Sequence, residues 1–415
     1  MILWSAFFLL IYAVLVIKYL SYESIAGNTL LGIYSLAISV YILSRFALAY
    51  FYEPKLPALK DGFEPTVSFC VPSKNEGEHI RKTILRIADT DYPKDKFNII
   101  VLDDGSTDNT LAEMFAAKSI AEKKGVSVFI ASFERNRGKR EGMALCVKRS
   151  LHEILIFIDS DSFVENNTAR ELVKYFTDQK VAAVAGHTFV ANAEENFLTK
   201  MESIRYFVSF RAYKASEALF NSVMCCSGCC SAYRKSAVSE VLEPWLKQKF
   251  LGVTCTYGDD RSLTNFLLRQ GYKTMYAPEA ICHTIVPNTL KKLMRQQLRW
   301  KKSWFRENLI ASTFIWKKHP ILSISFYLGF ILPLLAPFVV VRAFIWYPYV
   351  TGNVPWFYIL GMTTTALICG LFYHIKTLNG KWFYGVLFSI VFTLTFIWQL
   401  PWAIINLRDN RWGTR

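Results

Sequence analysis

Apolar residues are concentrated in long runs near the two ends of the chain. These runs occupy residues 2–20, 30–52, 321–350, 356–373 and 382–405. A helix needs about 20 apolar residues to cross the hydrocarbon core of a bilayer. Each run is close to that length and carries almost no charge, so the pattern predicts membrane helices at both ends.

The stretch between these runs, residues 53–320, is charged and mixed like a water-soluble domain. Short apolar runs typical of buried strands alternate there with helical stretches, at residues 67–71, 98–102, 126–131, 154–158 and 181–185. This alternation predicts an α/β domain with a mostly parallel sheet. In such sheets ligands collect at the carboxyl ends of the strands.

The orientation in the membrane follows from the basic residues. The first apolar run lacks a basic start and a cleavage site, which predicts a retained helical hairpin. Residues 21–28 contain no Lys or Arg, whereas the chain after Tyr52 soon becomes basic, so the soluble domain is predicted in the cytoplasm. Three simple spans after the soluble domain would put the Arg-rich tail outside the cell. A cytoplasmic tail therefore requires that one apolar segment be broken or re-entrant, and the candidate break points are Pro333, Pro337 and Pro401.

Composition supports a multi-pass protein of the cell membrane. The chain is 52% hydrophobic, and its formal net charge of +15 suits anionic lipids and anionic nucleotides. Nucleic acid is the competing partner, but no nucleic-acid-binding motif is present. Many cations instead cluster just before the last apolar runs, at Lys291, Lys292, Arg295, Arg299, Lys301, Lys302 and Arg306. Membrane lipids are therefore the predicted partner, and nucleic acid is not.

The nine cysteines raise the question of a metal site. Cys226 and Cys229 have C-x-x-C spacing, but no second pair follows at a zinc-binding distance. Because a cytoplasmic domain keeps its thiols reduced, we interpret them as small side chains that pack around Gly228, with zinc binding as the disfavoured alternative.

Three acidic clusters and one pentapeptide follow one another along the chain. They are Asp103-Asp104, Asp159-Ser160-Asp161, Asp259-Asp260 and Gln296-Gln297-Leu298-Arg299-Trp300. This order resembles that of the processive membrane glycosyltransferases of family 2, which build β-linked polysaccharides from nucleotide sugars. The resemblance implies an α/β GT-A-type cytoplasmic domain, which binds the nucleotide sugar, fused to an α-helical transmembrane region.

The resemblance assigns the first two clusters to the donor. Asp103 and Asp104 would hydrogen-bond the uracil and ribose of UDP, although an Asx turn that caps the next helix is the alternative. Asp159 and Asp161 would hold Mg²⁺ or Mn²⁺ against the diphosphate, since hard carboxylate oxygens suit these ions; the alternative is a solvated acidic loop. Lys139 and Arg140 are candidate phosphate contacts or an ordinary basic turn.

The third cluster and the pentapeptide are assigned to the acceptor side. Asp260 is the candidate general base that accepts the proton of the attacking hydroxyl, with Asp259 as the alternative. One displacement would convert an α-linked donor into a β-linked product. Gln296 and Arg299 share a face of a predicted interfacial helix, residues 290–305. Arg299 would contact the diphosphate, and Trp300 would stack on the acceptor sugar.

A narrower resemblance, to bacterial hyaluronan synthases, covers nearly the whole chain. It rests on segments such as Gly186-His187, Gly258-Asp259-Asp260-Arg261-Ser262-Leu263-Thr264 and Trp412-Gly413-Thr414-Arg415. It implies an acceptor loop at Cys226-Ser227-Gly228 and a tail that closes over the nucleotide, with Trp412 and Arg415 contacting it. The implied product is hyaluronan from UDP-GlcNAc and UDP-glucuronate. Met224-Cys225-Cys226 and the pentapeptide are equally similar to nodulation-type chitooligosaccharide synthases. Type 3 capsule synthases share the Asp-Asp-Arg-Ser-Leu-Thr and Trp-Gly-Thr-Arg segments, so both families remain alternatives.

The predicted organisation has five parts. They are two transmembrane helices (1–52), the GT-A domain (53–288), interfacial helices (289–320), a transmembrane channel region (321–405) and a cytoplasmic tail (406–415). Two rivals remain. A transporter or receptor would place more ionisable residues inside the spans, and a transferase acting on a lipid carrier would not need Q-x-x-R-W. The oligomeric state is left open, and a monomer is compatible.

Overall fold

The structure, a computed structural model, describes residues 2–20, 29–54 and 62–410. The chain divides into two compact units. The membrane-helix unit comprises residues 1–52, 193–219 and 287–407, and the α/β unit comprises residues 53–192, 220–286 and 408–415. The predicted boundaries of the GT-A domain therefore need a correction, because residues 193–219 pack within the membrane-helix unit.

The α/β unit is built on an eight-stranded sheet with the strand order β3-β2-β1-β4-β7-β6-β10-β5. Its strands are β1 (Val67–Ser73), β2 (Phe97–Asp103), β3 (Ser127–Ser132), β4 (Ile154–Phe157), β5 (Ser162–Val164), β6 (Val181–Val190), β7 (Ser231–Arg234) and β10 (Lys273–Thr284). A separate two-stranded ribbon pairs β8 (Lys249–Phe250) with β9 (Val253–Thr254). The five predicted strands are all present.

The sheet is mixed rather than mostly parallel. Strand β1 pairs in parallel with β2 and β4, as β2 does with β3 and β6 with β10. Strand β7 is antiparallel to both β4 and β6, and β5 is antiparallel to β10. The short strands β5 and β7 lie beside polar and cysteine-rich loops, so no apolar run in the sequence predicts them.

The α-helices, in chain order, are α1 (Ile2–Leu20), α2 (Thr29–Tyr50), α3 (Ile80–Ala88), α4 (Thr110–Lys123), α5 (Lys139–Arg149), α6 (Thr168–Val173), α7 (Phe197–Val208), α8 (Ala215–Ala218), α9 (Lys235–Leu246), α10 (Asp259–Arg269), α11 (Leu290–Ala311), α12 (Pro320–Val341), α13 (Tyr347–Thr351), α14 (Trp356–Thr377), α15 (Trp382–Val391) and α16 (Gln399–Ile405). Tighter or wider helical turns occupy Lys174–Thr177, Ser209–Lys214, Ile315–Lys317, Arg342–Trp346 and Phe392–Phe396.

The core of the α/β unit lies between the sheet and its helices. Helix α3 buries Ile80, Ile84 and Ile87, which recur at helical spacing on one face. These residues join a buried cluster that includes Phe69 and Ile99 of the central strands. Burial of strand side chains on both faces explains why β1 is apolar along most of its length.

The membrane-helix unit contains long apolar helices. Among the described residues, the segments Thr29–Tyr50, Pro320–Thr351 and Tyr358–Thr377 are long and apolar enough to cross a bilayer. A fourth candidate is the pair Trp382–Phe396 and Gln399–Ile405, which is bent by 45°. The bend comes just before Pro401, so the last apolar run is the broken segment. Pro333 and Pro337, in contrast, lie inside the continuous helix α12.

Candidate functional site

The carboxylates at the end of β2 organise the neighbouring loops. The Asp103 side chain accepts hydrogen bonds from the backbone N–H of Ser106 at 3.2 Å and the hydroxyl of Ser132 at 2.9 Å. Asp104 accepts from the backbone N–H groups of Arg137 at 2.7 Å and Gly138 at 2.9 Å. Asp103 therefore holds the turn at Ser106, which lies ahead of the next helix, α4. Contact of either carboxylate with UDP stays a prediction.

Lys139 lies among three of the predicted site carboxylates. Its ammonium group pairs with Asp159, the first residue of the D-x-D cluster. Burial alone would lower the pKa of Lys139, but the charge and hydrogen bond of Asp159, together with the charges of Asp259 and Asp260, raise it overall. Lys139 is therefore a firmly held cation that links the second and third acidic clusters.

Gly228 lies close against this ion pair. A Cβ atom added at Gly228 would lie 2.9 Å from Lys139 Nζ and 3.1 Å from Asp159 Oδ1. Such short separations require the neighbouring groups to move. The loop at residues 226–228, which the resemblance assigns to the acceptor sugar, therefore lies against the D-x-D cluster, and the absence of a side chain at Gly228 allows this close approach.

Arg140 and Asp259 form a buried ion pair away from solvent. Arg140 Nε donates to Asp259 Oδ1 at 2.8 Å, and the two side chains are 6% and 4% exposed. Arg140 Nη1 also donates to the carbonyl of Trp245 and to Gln248 Oε1. Two of the three guanidinium nitrogens of Arg140 are thus directed at partners inside the protein, and its phosphate contact stays a prediction.

Asp260 differs from its neighbour Asp259 in its exposure and in the residues that it contacts. Both begin helix α10, whose N-cap Gly258 has a positive φ of 75° and whose amino end favours negative charge. The Asp260 side chain is only partly buried, and its Oδ2 accepts a long contact of 3.6 Å from the Cys225 thiol. Asp260 therefore faces the loop that precedes Gly228, whereas Asp259 faces Arg140.

The cysteine-rich loop is tied to the same helix. The backbone N–H of Cys226 donates to Thr264 Oγ1 at 3.0 Å, and the Tyr233 hydroxyl donates to the carbonyl of Cys226 at 3.0 Å. Ser227 contributes its carbonyl as the acceptor of the Ser231 hydroxyl at 2.7 Å. The nine cysteines of the chain are free thiols. The loop thus has a fixed geometry without a disulfide.

The carboxylates of Asp159 and Asp161 suit a divalent cation that is shared with a ligand. Within the residues that the structure describes, no group of three or more His, Cys, Asp or Glu side chains converges as a complete metal site. Mg²⁺ is commonly held by one or two carboxylates plus phosphate oxygens and water. The donor set fits that kind of site, provided that the ligand supplies the remaining oxygens.

The Q-x-x-R-W residues lie in the membrane-helix unit on α11, which is longer than the predicted stretch and is capped by the Thr289 side chain. Gln296 Oε1 is buried with no hydrogen-bond partner among the described residues. Trp300 packs against Arg205 of α7, whose guanidinium carbon lies 5.1 Å from the indole centroid. Sequence reasoning missed Arg205, because nothing in its local pattern connects it with a motif far along the chain.

The C-terminal segment contacts the turn before α10. The hydroxyl of Tyr257 donates to the carbonyl of Asp409 at 3.2 Å, and that of Thr256 donates to the carbonyl of Asn410. The predicted nucleotide contacts Trp412 and Arg415 lie outside the described residues. The described part of the tail therefore lies against the turn that precedes Asp259 and Asp260.

Comparison with known proteins identifies relatives that match most of the chain. Residues 68–242 match the family described as Glycosyl transferase family 2. A hyaluronan synthase of Streptococcus pyogenes is 34% identical over 69% of this chain and 67% of its own length. An N-acetylglucosaminyltransferase of Rhizobium meliloti is 31% identical over 85% of this chain and 82% of its own length.

A solved structure supports the fold. A mannosyltransferase of Pyrobaculum calidifontis, solved in complex with GDP-Man and Mn²⁺, superposes with a TM-score of 0.58 at 18% identity. The match covers 93% of this chain and 99% of that chain. The predicted GT-A-type fold is thereby confirmed.

Proposed function

The chain belongs to glycosyl transferase family 2, and from that membership we propose that it polymerises UDP-linked sugars into hyaluronan, using UDP-GlcNAc and UDP-glucuronate. It is a processive glycosyltransferase related to hyaluronan synthases and to rhizobial N-acetylglucosaminyltransferases. The choice of hyaluronan as the product rests on the synthase-like segments around Asp260 and on the identity with the streptococcal enzyme. The polymer would leave through the membrane-helix unit.

One observation supports the catalytic assignment above all others. Asp260 lies at the amino end of α10 beside Cys225, while the adjacent Asp259 is neutralised by Arg140. An acceptor hydroxyl held by the loop at residues 226–228 would lie within reach of the partly exposed Asp260 carboxylate. Asp260 would accept the hydroxyl proton as the oxygen attacks the anomeric carbon, with inversion of configuration.

Negative charge develops on the diphosphate of UDP as it leaves the sugar, and nearby positive charge would stabilise it. Lys139 supplies a fixed cation next to Asp159. Asp159 and Asp161 would hold Mg²⁺ or Mn²⁺, which when bound neutralises the developing charge on UDP. Arg299 would add a further positive charge, and Trp300 would support the acceptor sugar. Asp103 and Asp104, with the loop that they hold at residues 137–138, would shape the binding site for the nucleoside.

The long apolar helices support a reaction at a membrane. We propose that the α/β unit faces the cytoplasm, where UDP-sugars are available, and that the membrane-helix unit carries the polymer across the cell membrane. The bent pair after Trp382 allows the basic tail to return to the cytoplasmic side. The tail residues Trp412 and Arg415 would then be free to close over the nucleotide.

A chitin-type oligosaccharide made from UDP-GlcNAc alone is the second candidate product. The rhizobial N-acetylglucosaminyltransferase matches a larger share of the chain than the streptococcal synthase does. Both products require the same base, cation and membrane passage. They differ in the second sugar that the acceptor site admits.

Donor dependence separates these products. Purified protein in lipid vesicles would be incubated with UDP-GlcNAc, UDP-glucuronate or both, and the products sized by gel electrophoresis. Long polymer that forms only with both donors supports hyaluronan. Short oligomers from UDP-GlcNAc alone support the chitin alternative, and polymer that requires UDP-glucose rejects both.

A further inference from the structure

Arg205 is held in place by a buried acid on its own helix. Its Nη1 lies 2.9 Å from Glu202 Oε2, and the Glu202 side chain is 1% exposed. The other carboxylate oxygen, Oε1, has no hydrogen-bond partner among the described residues. Burial raises the pKa of Glu202, and the nearby Arg205 only partly opposes that shift. Because Glu202 is buried, removal of Arg205 would leave its carboxylate without a cation, so this contact fixes Arg205 on α7.

Three aromatic rings surround the Arg205 guanidinium. Its central carbon lies 5.1 Å from the Trp300 ring, 5.6 Å from the Tyr206 ring and 5.7 Å from the Phe388 ring. These rings come from α11, α7 and α15. A cation within about 6 Å of an aromatic face is attracted to it, and the attraction grows when water is excluded. Arg205 therefore fixes Trp300 between two other helices.

The residue after Trp300 is fixed as well. Lys301 Nζ donates to the carbonyl of Phe396 and lies 3.4 Å from Gln399 Oε1. These two acceptors flank the bend of the last apolar segment. Arg205 and Lys301 thus hold the same turn of α11 against the bent membrane segment.

We propose that Arg205 is a positioning residue for Trp300, and that it holds the indole at the angle needed to retain the growing polysaccharide between successive additions. This inference rests on the proposed function, since it assigns Trp300 to the acceptor. Arg205 itself would not touch the reacting atoms. Its loss should therefore shorten the product more than it slows the first transfer of sugar.

The test compares product length with UDP release in the presence of both donors. Arg205→Met retains bulk and removes the cation, Arg205→Lys retains a cation, and Lys292→Met removes an exposed cation from the same helix as Trp300. We expect Arg205→Met to shorten the polymer by about threefold or more, with initial UDP release within about twofold of the wild type. Lys292→Met should give polymer of wild-type length, and Arg205→Lys polymer of intermediate length.

A double substitution gives the sharper result. If Arg205 acts through Trp300, Arg205→Met will cause no further shortening in a Trp300→Ala background. Shortening that adds to the Trp300→Ala effect, or wild-type length in Arg205→Met, overturns the inference. If Arg205→Met fails to fold, wild-type length in Arg205→Lys overturns it. Wild-type protein that forms no polymer from any donor overturns the proposed function and the inference together.

Discussion

Arg140 Nε lies 2.8 Å from Asp259 Oδ1, and both side chains are buried. This contact distinguishes two neighbouring carboxylates that the sequence alone leaves as alternatives for the general base. Asp259 is committed to Arg140, whereas Asp260 is partly exposed beside the Cys225 thiol. We therefore assign Asp259 to the stability of the α/β unit and Asp260 to proton transfer.

Asp259→Asn should destabilise the α/β unit. It leaves the Arg140 charge buried without its partner, which typically costs about 3–5 kcal/mol. Thermal unfolding of the detergent-solubilised protein would measure the loss. Glu122→Gln, which breaks the exposed Lys118–Glu122 pair, is the matched control and should change stability by less than about 1 kcal/mol. Equal effects of the two substitutions would refute the assignment of Asp259.

Gly228→Ala should weaken sugar transfer without unfolding the protein. The added methyl group would displace Lys139 or Asp159, since it would lie 2.9 Å and 3.1 Å from their side-chain atoms. Such a displacement should lower kcat/KM for the donor by about 10- to 10²-fold. Gly380→Ala, where an added Cβ meets nothing within 4 Å, is the control. Unchanged donor kinetics in Gly228→Ala would show that the loop does not constrain this ion pair.

Chelation of divalent cations should stop transfer, and added Mg²⁺ or Mn²⁺ should restore it. Asp161→Asn should reduce transfer by about 10²-fold or more at saturating cation, because a bound cation supplies several kcal/mol of charge stabilisation. UDP release, titrated against each cation, measures both effects. Full activity in excess EDTA would rule out the metal role of Asp159 and Asp161.

Lys301 should make stability depend on pH. Burial, with a smaller effect of Arg205, lowers its pKa in the folded protein to about 7 from the ordinary 10.5. Between these values the unfolded chain binds a proton that the folded chain does not, so wild-type stability falls as pH decreases from about 10 to about 7.

Comparison of Lys301→Met with the wild type isolates this effect. The variant cannot take up the proton, so its melting temperature relative to the wild type should be higher at pH 7 than at pH 9.5. Scanning calorimetry at the two pH values measures the difference. A difference independent of pH would show that Lys301 keeps its ordinary pKa.

The sequence predicts much of the scaffold for identifiable reasons. The strands β1, β2 and β4 are buried and largely apolar, and β2 and β4 lead into the acidic clusters Asp103-Asp104 and Asp159-Ser160-Asp161. The apolar runs at both ends are long enough to cross a membrane, and Pro401 lies next to the bend of the last one. These features depend on local composition, which a single sequence displays directly.

Other features depend on contacts between distant residues. The different surroundings of Asp259 and Asp260 depend on Arg140, which lies 119 positions away from Asp259. The segment 193–219 has the mixed composition of a soluble domain, yet it packs within the membrane-helix unit. There Gly385 lies against Ile204. Arg205 meets Trp300 only after folding. No local sequence pattern encodes such pairings, so only the structure reveals them.

The most direct test of the account compares Asp260→Asn with Asp259→Asn in one assay of UDP release with both donors. We predict that Asp260→Asn lowers turnover by roughly 10²- to 10⁴-fold, the usual contribution of a general base, while UDP affinity and thermal stability stay at wild-type values. Asp259→Asn should instead lower stability and keep turnover in the fraction that remains folded. An Asp260→Asn protein that still forms polymer at the wild-type rate would contradict the account.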